Sequence, residues 1–170
     1  MNGVLADKAV LLTGGNGRIW HLIVKELLAG DAKLEFTFRS DSELNELFAF
    51  IRKYGLPHMN QPCIPILVND VYTTQLDWAP AAVQRDFMRL EYLVNLFEDP
   101  PVFERLLEKT LPLMEARGTG CVVYPQNLEE IFRKMAGKGI QGMPMDFRNL
   151  ENIEQNFLKA ITPQIPLQSQ

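Results

Sequence analysis

An apolar run that ends in a glycine cluster and passes at once into a helical pattern constrains this chain most. The run Val10-Leu11-Leu12 is followed by Thr13-Gly14-Gly15-Asn16-Gly17-Arg18-Ile19-Trp20. Glycines let the backbone approach an anion, and the first N–H groups of a helix point at it with a favourable dipole. The segment therefore predicts a strand, a phosphate-binding turn and a helix N-terminus. A tight strand-to-helix turn without a ligand is the alternative.

The rest of the chain alternates short apolar runs with amphipathic stretches. Strands are predicted at 9–13, 33–38, 64–68, 121–124 and 140–145. Helices are predicted at 19–29, around the stripe 44–51 with a cap at Asp41 or Ser42, at 82–97, at 102–116 with an interruption at Pro112, at 128–135 and at 150–161. This alternation predicts an α/β fold, a three-layer αβα Rossmann-like doubly wound parallel sheet of about five strands. We expect one domain over 1–161 and a flexible tail over 162–170.

Composition restricts the partners and the compartment. The 170 residues carry a net charge of −4 with no basic block, which argues against nucleic acid or an anionic membrane as the main partner. No apolar run approaches the ~20 residues of a membrane span, and residues 1–8 contain no signal-peptide core. Cys63 and Cys121 lie in apolar runs, so we expect free thiols and a cytoplasmic protein. Neither His21 nor His58 has a partner at metal-ligand spacing, so no metal is expected.

Several segments together resemble one family. Residues 7–19 are similar to the start of the short-chain dehydrogenases/reductases. Arg39 follows the second predicted strand, where members that prefer NADP carry a basic residue. The segments 66–69, 94–96 and 111–123 resemble, in order, a strand end, the helix with the family's structural and catalytic asparagine, and the next helix and strand. The resemblance covers roughly residues 7–123.

The resemblance implies a cofactor, NADP or NAD, and a set of site residues. The implied cofactor-binding residues are Gly14, Gly15, Asn16, Gly17 and Ile19 in the turn, Arg39 for the 2′-phosphate, Asn69 at a strand end, and Asp146. Asp146 enters because 138–149 resembles the family's third strand, with 150–161 as its helix, displaced to a late position in the chain. In that interpretation Asp146 contacts the adenine, provided that this segment fills the slot of the third strand.

The departures from the family bear on catalysis. In the family's glycine pattern, later glycines fall at Arg18 and Trp20, and a tryptophan there is expected to push the helix away or reshape the pocket. None of the four tyrosines is followed four residues later by lysine, and no serine lies just after the strand at 121–124. The proton-relay machinery of the family is therefore absent. Two candidate catalytic residues remain: Asn95, and Tyr124 near the end of that strand.

Two classes of function follow. The first is an NAD(P)-binding Rossmann-type protein related to oxidoreductases, in which the cofactor supplies any hydride transfer. The second is a non-catalytic αβ scaffold or interaction module, shortened or engineered. A third possibility is a flavodoxin-like protein whose glycine turn binds some other phosphate. We also expect a homodimer through the helices at 82–97 and 102–116, which correspond to a common dimer face of the resembled family.

Overall fold

A computed structural model describes residues 5–15, 17–54, 61–148 and 152–161. These residues form alternating strands and helices with two short 3-10 turns. The elements are β1 Ala9–Thr13, α1 Gly17–Ala29, β2 Lys33–Phe38, α2 Asp41–Lys53, β3 Cys63–Leu67, α3 Ala79–Phe87, β4 Tyr92–Asn95, α4 Pro100–Arg117, β5 Gly120–Pro125, α5 Glu129–Met135, β6 Ile140–Met145 and α6 Ile153–Ile161. The predicted tail at 162–170 and the positions of Asn16 and His58 lie outside the described residues.

The strands form one parallel sheet in the order β3-β2-β1-β4-β5-β6. Apolar side chains from α1, α2 and α6 cover one face, and those from α3, α4 and α5 cover the other. The central strands are buried on both faces, as a parallel sheet between two helical layers requires. The predicted αβα Rossmann-like fold is confirmed, with six strands in the described part of the chain instead of about five. The chain reverses its direction of winding between β1 and β4, which is where doubly wound sheets bind ligands.

The predicted helix at 82–97 is wrong. Helix α3 ends at Phe87, and Met88 takes a left-handed conformation with φ of 66° that stops the helix. Tyr92–Asn95 then forms β4, which pairs with β1 at the centre of the sheet. A strand buried on both faces has no polar alternation, so its apolar run continues the helical stripe of the residues before it.

The sheet order decides where the segment with Asp146 lies. The strand shortly before Asn69 is β3, which pairs with β2. The slot of the third strand is therefore already filled. The segment with Asp146 follows β6 at the opposite edge of the sheet, beside β5. The condition for an adenine contact by Asp146 is not met.

Two smaller expectations also differ from the structure. The N-cap of α2 is Ser40, whose hydroxyl accepts a hydrogen bond from the Glu43 N–H, and not Asp41 or Ser42. Helix α4 continues through Pro112 without interruption. Leu111, just before Pro112, and Met114, two residues after it, are buried, so tertiary packing holds the helix across a residue that removes a backbone donor.

Candidate functional site

A cavity of about 420 Å³ opens at the carboxyl ends of β1, β2, β3 and β4. Its wall includes the turn after β1, the ends of the neighbouring strands and the loop after β6. The lining residues are Gly14, Gly15, Ile19, Thr37, Phe38, Arg39, Val68, Leu96, Phe97, Glu98, Phe147 and Arg148. The cavity lies where the winding direction reverses, so sheet topology and cavity indicate the same site.

The turn between β1 and α1 depends on its glycines. Gly14 has φ of +74°, and a Cβ there would meet the backbone nitrogen of Phe97 at 2.6 Å. Gly17 has φ of +69° at the first position of α1, and a Cβ there would meet nothing within 4 Å. Gly14 is therefore required by a close backbone approach, whereas Gly17 lies beside open space. The glycines leave the N-terminus of α1 accessible from the cavity side.

Trp20 does not occupy the cavity. Its side chain is fully buried, and its ring packs near Phe36 with the ring centroids 5.9 Å apart. A Cβ on Gly15 would lie 1.9 Å from Trp20 Cδ1, so the indole uses the space that a side chain at position 15 would take. Trp20 therefore packs into the core below the turn and leaves the cavity open, contrary to a displaced helix. The indole Nε1 has no hydrogen-bond partner among the described residues.

Side-chain hydrogen bonds tie the strand ends that build the cavity to each other. The Thr13 hydroxyl donates to Asn95 Oδ1 at 2.9 Å. Asn95 Nδ2 donates to the Phe97 carbonyl at 2.9 Å, and the Phe97 N–H donates back to Oδ1 at 3.2 Å. The Gly14 N–H donates to the Thr37 hydroxyl at 3.1 Å. Asn95 is fully buried and does not line the cavity, so it positions the loop after β4 on β1.

Arg39 projects from the end of β2 and is held by Glu43. Its Nε donates to both carboxylate oxygens of Glu43 at 3.2 Å, and its Nη2 contacts Oε1. This hydrogen bonding raises the pKa of Arg39 and lowers the pKa of Glu43. The Arg39 side chain is 54% exposed, so its remaining N–H groups are accessible.

Tyr124 is enclosed in the opposite half of the core. It is fully buried, and its hydroxyl donates to Glu129 Oε2 at 2.6 Å. Its ring stacks on Phe132 with centroids 4.9 Å apart. Burial, followed by the hydrogen bond to Glu129, raises the pKa of Tyr124 far above its ordinary value. Tyr124 does not line the cavity.

Asn69 and Asp70 lie outside the cavity lining. Both backbone N–H groups donate to Gln75 Oε1, at 3.0 Å from Asn69 and 3.2 Å from Asp70. The Asp70 carboxylate accepts from the Tyr72 N–H at 2.9 Å, which is a turn-forming contact. These two residues organise the loop after β3.

A second cavity of about 280 Å³ adjoins the first and was not anticipated from the sequence. It is lined by Glu98, Pro125, Gln126, Asn127, Met145, Asp146, Phe147 and Arg148, of which Glu98, Phe147 and Arg148 also line the first. Asp146 thus lies at this edge of the sheet, and its carboxylate accepts from the Arg148 N–H at 3.0 Å. Nothing in the local sequence of Glu98 or Arg148 distinguishes them from solvated charges.

The described residues 5–15, 17–54, 61–148 and 152–161 offer neither a metal site nor a membrane span. Within them, no group of three or more His, Cys, Asp or Glu side chains is arranged to hold a metal ion. No helix of this part of the chain combines the length and apolar character of a membrane span.

Several solved structures are similar to this chain in fold. A structure from Burkholderia xenovorans, assigned to the short-chain dehydrogenases/reductases, aligns with a TM-score of 0.59 and 20% identity over 72% of this chain and 56% of its own. An actinorhodin polyketide ketoreductase variant with NADPH aligns with a TM-score of 0.56 and 20% identity over 69% and 52%. This chain has the fold of the short-chain dehydrogenases/reductases. The C-domain of a bacterial malonyl-CoA reductase with NADP reaches a TM-score of 0.62 at 19% identity, over 85% of this chain and 30% of that one.

These likenesses establish the fold. The chain spans little more than half the length of the first two structures, at 56% and 52%. No family model matches the sequence, and no curated protein matches it.

Proposed function

We propose that this chain binds a nicotinamide dinucleotide, NADP or NAD, in the first cavity, as a Rossmann-type protein related to oxidoreductases. One observation carries the proposal: the cavity brings the glycine turn, the start of α1 and the Arg39 guanidinium to one wall. A dinucleotide carries a pyrophosphate and, in NADP, a 2′-phosphate, and these are the groups that a helix N-terminus and an arginine recognise. The NADPH and NADP of two neighbours in fold support the same class of ligand.

The residues present fit such a ligand. The open space beside Gly17 leaves room for a phosphate at the N-terminus of α1, and the buried position of Trp20 keeps its indole out of that space. We assign Gly14, Gly15, Gly17 and Ile19 to the pyrophosphate and Arg39 to the 2′-phosphate. Asn16 belongs to the same turn and is assigned with it from the sequence alone. Asn69 and Asp146 receive no cofactor role, because neither lines the first cavity.

The chemistry of the chain's own side chains supports binding more than reaction. When bound, the cofactor supplies hydride transfer. A general acid must reach the reacting atom to donate a proton, and the Tyr124 hydroxyl instead donates to Glu129 inside the core. Asn95 is likewise fully buried, and its contacts with Thr13 and Phe97 engage its amide oxygen and one N–H of Nδ2. The second candidate function is therefore a module that binds a dinucleotide but lacks the family's proton relay and catalyses no reaction. The burial of Tyr124 favours it.

The test is a titration with NADPH and with NADH. Binding is read by thermal shift and by energy transfer from the tryptophans. At about 100 times its dissociation constant a ligand stabilises the fold by about 2.7 kcal/mol. We expect NADPH to stabilise the protein and Arg39→Ala to abolish most of its effect. Arg52→Ala is the matched control, because Arg52 is exposed in the last turn of α2 and does not line the cavity. No stabilisation by either dinucleotide would overturn the proposal.

A homodimer and a cytoplasmic location stay proposals. Trp78 and Met88, at the two ends of α3, are 70% and 79% exposed, and such apolar surface favours association. Sedimentation of the protein at high concentration tests the dimer, and a monomer there would reject it. The free state of Cys63 and Cys121 supports a reducing compartment.

A further inference from the structure

Two side chains of opposite charge pair with each other at the end of β2 and the start of α2. Arg39 is the first residue after β2, and Glu43 lies in the first turn of α2. An arginine at this end of a Rossmann sheet accommodates a 2′-phosphate, whereas a carboxylate accepts a hydrogen bond from the free 2′-hydroxyl. Here the two groups are bonded to each other by three contacts. Arg39 lines the first cavity, and Glu43 contacts Arg39 from outside that lining.

The contacts divide the donors of Arg39. Glu43 occupies the Nε edge of the guanidinium and one N–H of Nη2. Since a guanidinium is a rigid planar fork with five N–H donors, three of them stay accessible on the remaining edge. A phosphate bound on that edge would lie roughly 6–7 Å from the Glu43 carboxylate, across the same plane. It would meet an arginine whose charge is already partly neutralised.

We propose that Glu43 is a specificity-determining residue that lowers the preference of this site for the 2′-phosphate, so that the chain takes both NADP(H) and NAD(H). The inference rests on the dinucleotide site proposed above. A phosphate of charge about −1.5 to −2 at that separation is repelled enough to weaken its binding about five- to tenfold, even with the dielectric constant of water. NAD has a 2′-hydroxyl in place of the 2′-phosphate and suffers no such repulsion.

The geometry of α2 indicates that Glu43 acts through charge and not through folding. Its N–H is capped by the Ser40 hydroxyl at 3.3 Å, and this contact uses the backbone and not the carboxylate. Glu43→Gln keeps an amide oxygen for the Arg39 contact and removes the negative charge. Asp41 is a second acidic residue of the same turn, exposed and without a contact to Arg39 in the described structure. Asp41→Asn therefore removes the same charge from the same helix end.

The experiment measures the dissociation constants of NADPH and NADH for the unsubstituted protein, Glu43→Gln, Asp41→Asn and Arg39→Gln. We expect Glu43→Gln to raise the NADPH/NADH preference at least fivefold, mainly through tighter NADPH binding. Arg39→Gln should shift the preference toward NADH, and Asp41→Asn should leave it within about twofold. Melting curves without ligand establish that each variant folds.

Three results would count against the proposal. Glu43→Gln could leave the NADPH/NADH preference unchanged or weaken NADPH binding. In either case Glu43 only aligns the Arg39 side chain and does not lower the preference for NADP. An equal shift in Asp41→Asn would assign the effect to the helix end as a whole. If the unsubstituted protein binds neither dinucleotide, the proposed function itself fails, and this outcome is distinct from binding without a change in preference.

Discussion

Glu35 is a carboxyl group in the middle of the buried sheet, and its ionisation should make folding sensitive to pH. It lies on β2 between Leu11 of β1 and Ile64 of β3, and is 1% exposed. Burial, then a hydrogen bond to Asp86 on α3, raise the pKa of Glu35 from 4.5 to about 8. The neighbouring Arg85 pairs with Asp86 at 2.9 Å and opposes the shift. Glu35 is thus a neutral acid at pH 7 that keeps its proton and donates a hydrogen bond to the Asp86 carboxylate.

The sign and size of the effect follow from linkage. Between pH 4.5 and about 8 the folded chain keeps the Glu35 proton and the unfolded chain has lost it. The free energy of unfolding then falls by about 1.4 kcal/mol per pH unit in this window. From pH 5 to pH 7.5 the loss amounts to about 3 kcal/mol. For a protein of this size it corresponds to a melting temperature lower by about 6–12 °C.

Glu35→Gln tests this reasoning. Glutamine keeps the shape and offers its amide N–H groups to Asp86 but does not titrate. Urea unfolding of both proteins at pH 5, 6, 7 and 7.5 gives the difference in the free energy of unfolding at each pH. Relative to the original protein, we expect the free energy of unfolding of the variant to rise by about 3 kcal/mol between pH 5 and pH 7.5. Glu108→Gln, at an exposed position of α4, is the control and should show no such trend. If the free energies of unfolding of Glu35→Gln and of the original protein changed in parallel with pH, Glu35 would not be a buried neutral acid.

Three further substitutions test the packing around the site. Gly15→Ala should cost about 1–3 kcal/mol by overpacking against Trp20, and chemical unfolding should show that this cost largely disappears in a Trp20→Ala background; equal costs in both backgrounds would contradict the contact. Asn95→Ala should cost about 2–3 kcal/mol in the same assay, because it leaves buried partners unpaired, and a loss below about 0.5 kcal/mol would dispute its positioning role. Tyr124→Phe should lower the free energy of unfolding by about 1 kcal/mol, because it loses the hydrogen bond to Glu129. The affinity for NADPH should stay unchanged, and weaker NADPH binding would indicate that Tyr124 belongs to the site.

The sequence predicted the fold because its clearest signals were correct. The strand at 9–13, the helix that follows and the strand at 33–38 have the predicted positions within two residues, and they define the glycine turn and the end of β2. β4 was missed because its four residues are all buried and continue the apolar spacing of α3. Met88 ends that helix in a left-handed conformation that glycine usually adopts, so the usual stop signal was absent.

The site was predictable where it depends on one local segment and unpredictable where it depends on packing between distant ones. Gly14, Gly15, Ile19 and Arg39 line the first cavity as the family resemblance implied, although their role as ligand contacts is a prediction still to be tested. The contribution of the loop after β6 follows from the pairing of β6 with β5, and the Arg148–Glu98 ion pair at 3.6 Å joins that loop to the segment after β4. No spacing within a single segment contains that information.

The arrangement of polar groups explains why binding and reaction can separate in this chain. The groups suited to a dinucleotide lie on the ends of β1 and β2, where they need only backbone conformation and one arginine. A proton relay needs an acid that can reach the reacting atom, and the tyrosine at the end of β5 instead contacts Phe132 and Glu129 in the core. Moving that hydroxyl to the cavity would leave the Glu129 oxygen without its partner and open a void beside Phe103. Packing of the β5 side of the sheet therefore opposes catalysis by Tyr124, whereas nothing in it opposes occupation of the glycine turn.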